Sequence, residues 1–232
     1  TKSKLAGGRL WENWRITASG YAAVWATENT RESLFAAIKR KEVYATTGSR
    51  ISLRFFGGWG FTEKSIYDPN FEELGYSLGV PMGGDLPRRT GATPGFMFSA
   101  FRDPRGANLD RVQVVKGWID KKGGTHEKVY DVAWAGERTI DVTTGKLPPI
   151  GSTIDFDRAT YDNSIGANDL SGVWFDPDFD PKVASFYYCR VIEIPRPRWT
   201  LKDAVFFGVS LDEEVLKVVQ DRAYTSPIWY TP

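Results

Sequence analysis

Apolar and polar residues alternate through most of the chain after Gly48, and this period of two predicts β-strands. The clearest examples lie at 51–55, 96–100 and 111–118, and further strands are predicted at 129–134, 153–156 and 186–194. Turns rich in Gly, Pro and Asp separate them. Repeated short strands separated by such turns predict a mainly β chain, folded as an antiparallel β-sandwich over residues 51–232.

The first fifty residues carry a strand–helix–strand pattern instead. Apolar residues at helical spacing in 34–38 predict a helix that begins at Asn29 or Thr30 and ends near Lys41. If Asn29 is the cap, Glu32 stands three residues on, in capping-box register. Apolar runs at 21–26 and 43–47 predict the two strands, so residues 1–50 are expected to be the remnant of an α/β domain. One more helix is predicted at 212–221, although its β-branched residues disfavour it.

The balance of charges limits the kinds of partner that this chain is expected to bind. The chain has 30 basic and 29 acidic residues, so it carries no electrostatic footprint for nucleic acid or an anionic membrane. No apolar run approaches the roughly 20 residues that span a bilayer. We therefore expect neither nucleic acid nor a membrane as a partner.

Cysteine and histidine are each present once. Cys189 stands in an apolar strand pattern, which predicts a buried, inert thiol, and His126 stands in a polar, Gly-containing segment, which predicts a solvated loop. One Cys and one His cannot build a disulfide, a Cys-ligated zinc site or a His-rich metal centre within one chain. We therefore predict no catalytic residue and no cofactor in this chain.

The densest acidic motif, at 174–181, supplies the candidates for metal ligands. Asp176, Asp178 and Asp180 occupy alternate positions, from which three carboxylates could surround a calcium ion. Pro181 and Tyr187 stand where an EF-hand needs Gly and Glu, so the motif is not an EF-hand. The alternative is a pair of Asp-Pro turns whose carboxylates accept hydrogen bonds from the backbone.

Two weaker candidates remain. Asp155 and Asp157 flank Phe156 in a predicted strand, which would place both carboxylates on one face, as an acid and base for glycoside cleavage or as solvated surface. The segment 81–86 could place backbone N–H groups around an anion, but it matches neither common phosphate-binding fingerprint. It is predicted to be a turn.

Nine tryptophans give a second hypothesis for function, because exposed rings on a sheet could stack on sugars. Trp25, Trp118, Trp134 and Trp174 lie in apolar or alternating contexts and are predicted to be core. Trp11, Trp14 and Trp59 lie in polar or glycine-containing contexts and are the candidates for exposure. In this hypothesis the chain is a carbohydrate- or ligand-binding module.

Several long motifs resemble the uncharacterised family called domain of unknown function 3604. They lie at 22–26, 28–32, 43–51, 115–118, 129–134, 176–181, 194–200 and 226–230, and so extend along nearly the whole sequence. Full-length members of that family look like a PHP-type (polymerase and histidinol phosphatase) metallohydrolase domain followed by a β-sandwich. Their metal ligands lie in upstream motifs, none of which maps onto a residue here.

The resemblance implies that this chain is the C-terminal portion of such a protein. Residues 1–50 would then close the PHP-like domain, and residues 51–232 would be an accessory sandwich. The implied function is accessory to a phosphoesterase-like, metal-dependent hydrolase, without catalysis by this chain alone. A divalent metal is expected only in the upstream PHP-like domain, which would also be the partner of this region.

Overall fold

The structure, a computed structural model, describes residues 2–4, 10–12, 20–89 and 91–232, and over these residues the chain is mainly β with antiparallel sheets, none closed into a barrel. The strands are β1 (Lys2–Lys4), β2 (Leu10–Glu12), β3 (Tyr21–Val24), β4 (Val43–Thr46), β5 (Ser52–Gly58), β6 (Gly79–Pro81), β7 (Asp85–Leu86), β8 (Gly95–Phe101), β9 (Leu109–Ile119), β10 (Thr125–Trp134), β11 (Asp169–Phe175), β12 (Ser185–Glu193), β13 (Arg196–Pro197), β14 (Val218–Val219), β15 (Arg222–Thr225) and β16 (Ile228–Tyr230). The helices are α1 (Arg31–Lys39), α2 (Phe71–Leu78) and α3 (Trp199–Phe207), with a 3-10 helix at Glu63–Tyr67. None of the described helices is both long and apolar enough to cross a membrane.

The larger sheet is built around the long strands β9 and β12. Its order is β10-β9-β12-β15-β4-β3, and β16 pairs with the start of β12 and, in parallel, with β7. The smaller sheet has the order β11-β8-β5-β6. The predicted strands at 51–55, 96–100, 111–118, 129–134 and 186–194 are confirmed, because each overlaps a strand of one of these sheets.

One hydrophobic core contains side chains from both sheets. Phe55, Phe96 and Phe98 come from the smaller sheet, and Tyr187 and Cys189 from the larger, all without exposed surface. The alternation of apolar residues produces this core, because successive side chains of a strand point to opposite faces. Cys189 is the buried thiol that its context predicts, and burial raises its pKa.

The N-terminal strand–helix–strand pattern is present, but its two strands pair antiparallel, so it is not a parallel crossover unit. Thr30 caps α1 by accepting a hydrogen bond from the Ser33 backbone N–H, so the Asn29–Glu32 capping box is wrong. β4 also pairs with β15, close to the C-terminus of the sequence. The predicted boundary at residue 50 therefore falls between a strand of the larger sheet and β5 of the smaller one.

Two local predictions are wrong, and two helices were missed. Residues 153–156 form no strand, because Asp155 and Thr160 close a turn by mutual backbone hydrogen bonds. Residues 212–221 form a turn followed by the short strand β14 rather than a helix, in line with their β-branched content. The helices α2 and α3 were not predicted, because α2 contains Gly75 and the apolar residues of α3 run consecutively at its end.

A buried carboxylate, Glu193, lies at the end of β12. Its side chain has no exposed surface, and neither carboxylate oxygen accepts a hydrogen bond within the described residues. Burial raises its pKa above the ordinary value of 4.5, and the nearby Ser49 hydroxyl and Arg196 guanidinium offset only part of this. The folded state therefore binds the Glu193 proton more tightly than the unfolded chain does.

This raised pKa predicts a pH-dependent contribution to stability. The contribution is fully present below the unfolded pKa of Glu193 and is lost as pH rises through the folded pKa. Glu193→Gln should remove that loss, so the variant gains stability relative to the wild type as pH rises. Urea unfolding between about pH 4 and about pH 8 measures the difference. The exposed Glu137→Gln is the control, and equal pH profiles for wild type and Glu193→Gln would contradict the prediction.

Candidate functional site

Two adjoining cavities open at one end of the larger sheet, where β9, β12 and β16 meet the loop at 176–184. The first, called here the polar cavity, has a volume of about 360 Å³ and is lined by Lys116, Trp118, Lys128, Asp178, Asp180 and Ser185, with Val183. The second, called here the aromatic cleft, has a volume of about 700 Å³ and is lined in part by Trp118, His126, Phe186, Trp229 and Tyr230. Trp118 belongs to both.

The period of β9 places Lys116 and Trp118 on the face that forms the core. Val114 and Val112 lie on that same face two and four residues before Lys116, and both are fully buried. In register with Lys116 stand Lys128 on β10 and Tyr187 on β12. The end of the core face is therefore polar, because a lysine replaces the next apolar residue.

Lys116 is held in a buried charge pair. Its Nζ donates to Asp176 Oδ2 at 2.6 Å and to the backbone oxygen of Asp178 at 2.7 Å. The Tyr187 hydroxyl also donates to Asp176 Oδ2, at 2.7 Å. The exposed fractions of the Lys116 and Asp176 side chains are 6% and 0%. Charges this buried persist only when they are paired and hydrogen-bonded, so these contacts fix the floor of the polar cavity.

Asp178 lies nearer the surface and links the same loop to β10. Its Oδ2 accepts hydrogen bonds from Lys128 Nζ at 2.5 Å and from the Tyr130 hydroxyl at 2.6 Å. The Lys128 bond, and after it the Tyr130 bond, lowers the pKa of Asp178. Burial, together with Asp176 and Asp178, raises the pKa of Tyr130, and burial with Asp176 raises that of Tyr187. Both phenols therefore stay protonated and act as donors.

The three aspartates proposed as metal ligands have separate partners. Asp176 faces Lys116, and Asp178 faces Lys128. Asp176 and Asp180 also accept backbone N–H groups two residues on, at 2.9 Å each, as the Asp-Pro turn alternative expects. Over the described part of the chain, no three His, Cys, Asp or Glu side chains are grouped so that they could hold a metal ion. The acidic motif shapes the wall of the polar cavity.

Phe179 anchors the acidic loop to the core. Its ring packs edge-to-face on Trp59 and Tyr230, with centroids 5.6 and 5.0 Å apart. The Tyr230 hydroxyl donates to the Pro181 carbonyl at 2.9 Å. The loop therefore connects both cavities to a rigid aromatic cluster.

His126 lies in β10 rather than in the predicted loop. Its ring stacks on Trp118 with centroids 5.2 Å apart and an interplanar angle of 18°, and its Nε2 lies 2.7 Å from Asp120 Oδ2. The bond to His126, followed by the Gly124 and Lys122 N–H groups, lowers the pKa of Asp120. These contacts hold one face of Trp118 in place.

Gly117 brings Phe186 close to the backbone of the cleft. The two residues are cross-strand partners, and a Cβ at position 117 would overlap the Phe186 ring. Phe186 in turn packs against Trp229, with ring centroids 5.2 Å apart. Glycine at 117 therefore lets an aromatic pair form on the wall of the aromatic cleft.

The tryptophans divide by what their indole N–H groups contact. Trp25, Trp59 and Trp134 donate to backbone carbonyls of Leu53, Pro87 and Arg138. Within the part of the chain that the structure describes, Trp118, Trp174, Trp199 and Trp229 have no hydrogen-bond acceptor for the indole N–H. Two of these four line the aromatic cleft.

The exposure predicted for individual tryptophans needs correction. Trp59, a candidate for exposure, is partly buried and packs against the core, so it is not a fully exposed ring. The four tryptophans predicted to be core are all only partly buried: Trp25, Trp118, Trp134 and Trp174. Trp118 lines both cavities. Trp14 and the side chain of Trp11 lie outside the described residues. Sequence context did not predict the exposure of these rings correctly, because their burial depends on the loops that pack over them.

The other candidates do not form sites of the kind proposed. Asp155 Oδ1 accepts hydrogen bonds from the backbone N–H groups of Asp157 and Arg158 in a turn, so the pair on one strand face is wrong. The segment 81–86 turns at 82–84, as predicted, and its ends belong to β6 and β7. Its Gly83 and Gly84 N–H groups donate to the carbonyls of Pro227 and Pro81.

Sequence reasoning missed Lys116, Lys128, Tyr130, Tyr187 and Trp229 as members of a site. One signal was present, because Lys116 interrupts the apolar period of β9 at a position that points into the core. A buried lysine requires a partner, and the acidic motif was the available source of one. Lys128 and Tyr187, the cross-strand partners of Lys116, carried no comparable signal in the sequence.

The fold and this site define a mainly β protein with an aromatic and polar recess at one end of its larger sheet. The chain belongs to the family described as "Protein of unknown function (DUF3604)", whose model matches residues 1–232. This confirms the family resemblance. No curated protein and no solved structure matches the chain.

Proposed function

We propose that this chain is a recognition module that binds a carbohydrate across the polar cavity and the aromatic cleft. One observation carries the proposal: Trp118 lines both cavities, and its indole N–H has no acceptor within the described residues. An indole N–H is a donor only, so a ligand hydroxyl can satisfy it.

A sugar ring combines a C–H face with an edge of hydroxyl groups. The aromatic cleft offers Trp118 and Trp229 for contact with the C–H face. The polar cavity offers Lys116, Lys128 and Asp178 for the hydroxyls. Small-molecule sites commonly combine apolar and aromatic walls with a few placed polar groups.

The site is fixed before a ligand arrives, which favours affinity. Lys116 makes two short hydrogen bonds inside the protein, and His126 stacks on Trp118. Ordering flexible side chains on binding costs about 0.5–1.5 kcal/mol for each one, and a preformed site avoids most of that cost.

Replacing tryptophans tests the proposal. Trp118→Ala and Trp229→Ala are each expected to weaken oligosaccharide binding at least about tenfold, since truncating an aromatic anchor that the ligand covers costs about 2 kcal/mol. Trp199→Ala is the matched control, because Trp199 and Trp229 are both 43% exposed and Trp199 lies on α3, away from the cavities. A glycan array identifies ligands, and tryptophan fluorescence titration measures affinity. Equal affinities of Trp118→Ala and Trp199→Ala would refute the proposal.

A second function is the accessory role in a PHP-like, metal-dependent hydrolase. In this proposal the two sheets stack as a sandwich, and the segment 1–50 docks against an upstream PHP-like domain. The observation in its favour is the exposed apolar face of α1, where Phe35 and Ile38 are 66% and 55% exposed. Helices in soluble proteins usually bury such a stripe.

Coexpression with the region encoded upstream tests the accessory role. We expect the two parts to purify together, and Phe35→Ser with Ile38→Ser to separate them. The exposed Phe156→Ser is the control. Normal copurification of the α1 double variant would contradict docking through this face, and phosphoester hydrolysis by this chain alone would contradict a purely accessory role.

A further inference from the structure

We infer that the polar cavity selects a neutral sugar over an acidic one, with the sugar chain continuing along the aromatic cleft towards Trp229. This inference rests on the proposed carbohydrate-binding function. It follows from the unused donors and acceptors of the polar cavity and from its charge balance.

Donors remain available on three side chains. An ammonium group has three N–H donors. Lys116 uses two of them on Asp176 and Asp178, and Lys128 uses one on Asp178. Trp118 adds its unpaired indole N–H. All three side chains line the polar cavity.

Acceptors are available beside them. Both protein hydrogen bonds to the Asp178 carboxylate go to Oδ2, and the one to Asp180 goes to Oδ1. Asp178 Oδ1 and Asp180 Oδ2 therefore accept no hydrogen bond from the residues that the structure describes. A carboxylate or sulfate group placed at these oxygens could not donate to them, whereas a sugar hydroxyl in the same position both donates and accepts.

The charges around the polar cavity cancel. Lys116 and Lys128 face Asp176, Asp178 and Asp180. A neighbouring recess, which also contains Trp118 and Asp180, adds Lys121, Lys122 and Asp120. Together these groups comprise four lysines and four aspartates. Their charges sum to zero, so there is no excess positive charge to attract an anion. An acidic sugar would approach Asp178 and Asp180 with like charge and would have to compete for lysines that are already paired.

The shared position of Trp118 sets the direction of the sugar chain. Trp118 and Ser185 line both the polar cavity, of about 360 Å³, and the larger cleft, so the two cavities adjoin at these residues. Phe186 and Trp229 line the same cleft as Trp118. One unit in the polar cavity can therefore be followed by further units on the aromatic wall.

Titration of the full chain with two sets of oligosaccharides tests the inference. The neutral set is gluco-, manno- and xylo-oligosaccharides, and the acidic set is oligogalacturonates and oligomannuronates. We expect the preferred neutral ligand to bind at least about tenfold more tightly than any acidic one, with little dependence on salt. Asp180→Asn should reduce that preference by removing one repelling charge, whereas Asp157→Asn, on an exposed turn, should not.

The outcomes separate the two proposals. Tighter binding of the acidic set, weakened by Trp118→Ala, would overturn the preference for neutral sugars and leave the carbohydrate site standing. Binding of neither set would overturn both. Neutral preference with unchanged affinity in Trp229→Ala would overturn the direction of the sugar chain.

Discussion

Replacing Asp176 with alanine is expected to lower the free energy of unfolding by about 3–5 kcal/mol, the cost of removing one partner of a buried ion pair. The variant leaves the Lys116 ammonium buried without a counter-charge. It also removes the acceptor of the Tyr187 hydroxyl and of the Asp178 backbone N–H. Denaturant unfolding measures the loss as a lower midpoint at an unchanged slope.

Two variants control this prediction. Lys128→Ala breaks the neighbouring pair with Asp178, where both side chains are about half exposed, so it should cost no more than about 1 kcal/mol. Lys116→Met combined with Asp176→Leu removes both charges and should recover much of the stability. If the free energy of unfolding of Asp176→Ala lies within about 1 kcal/mol of the wild-type value, the scale of an exposed pair, the Lys116–Asp176 pair does not fix the floor of the polar cavity.

Replacing Phe96 with alanine is expected to cost about 3–5 kcal/mol as well, through loss of buried apolar surface and creation of a cavity. Phe96 belongs to the smaller sheet, has no exposed surface and stacks on Phe55. It also contacts Tyr187 of the larger sheet, with ring centroids 4.3 Å apart. The variant therefore removes a contact that joins the two sheets beneath the polar cavity.

Phe156→Ala is the matched control for Phe96→Ala. Phe156 is 50% exposed in the turn that contains Asp155, and its replacement should change stability by no more than about 0.5 kcal/mol. Urea midpoints for the two variants give the comparison. Similar midpoints would contradict a core shared by the two sheets.

Asp176 and Trp118 are expected to differ in how their replacement affects stability and sugar binding. Asp176→Ala removes the partner that positions Lys116, so it should weaken sugar binding as well as stability. Trp118→Ala should weaken binding with a smaller effect on stability, because its ring is only partly buried. This contrast separates residues that hold the site from residues that contact the ligand.

The strands were predictable because their signal is local. Alternation within 51–55 or 96–100 shows which side chains share a face, and the structure buries those of β5 and β8. The helices α2 and α3 were not predictable in the same way, because Gly75 packs on the Phe56 ring and that contact is tertiary. Propensity alone disfavours glycine at such a position.

The sequence by itself determined the mainly β class, the buried Cys189 and, through its motifs, the family. Only the tertiary structure decided that Lys116 of β9 meets Asp176, which is 60 residues away along the chain. It likewise decided that Trp118, in an alternating strand, lines two cavities instead of lying wholly inside the core. The physical reason is that periodicity fixes the face on which a side chain lies, whereas strand register and loop placement fix which charges and rings meet there.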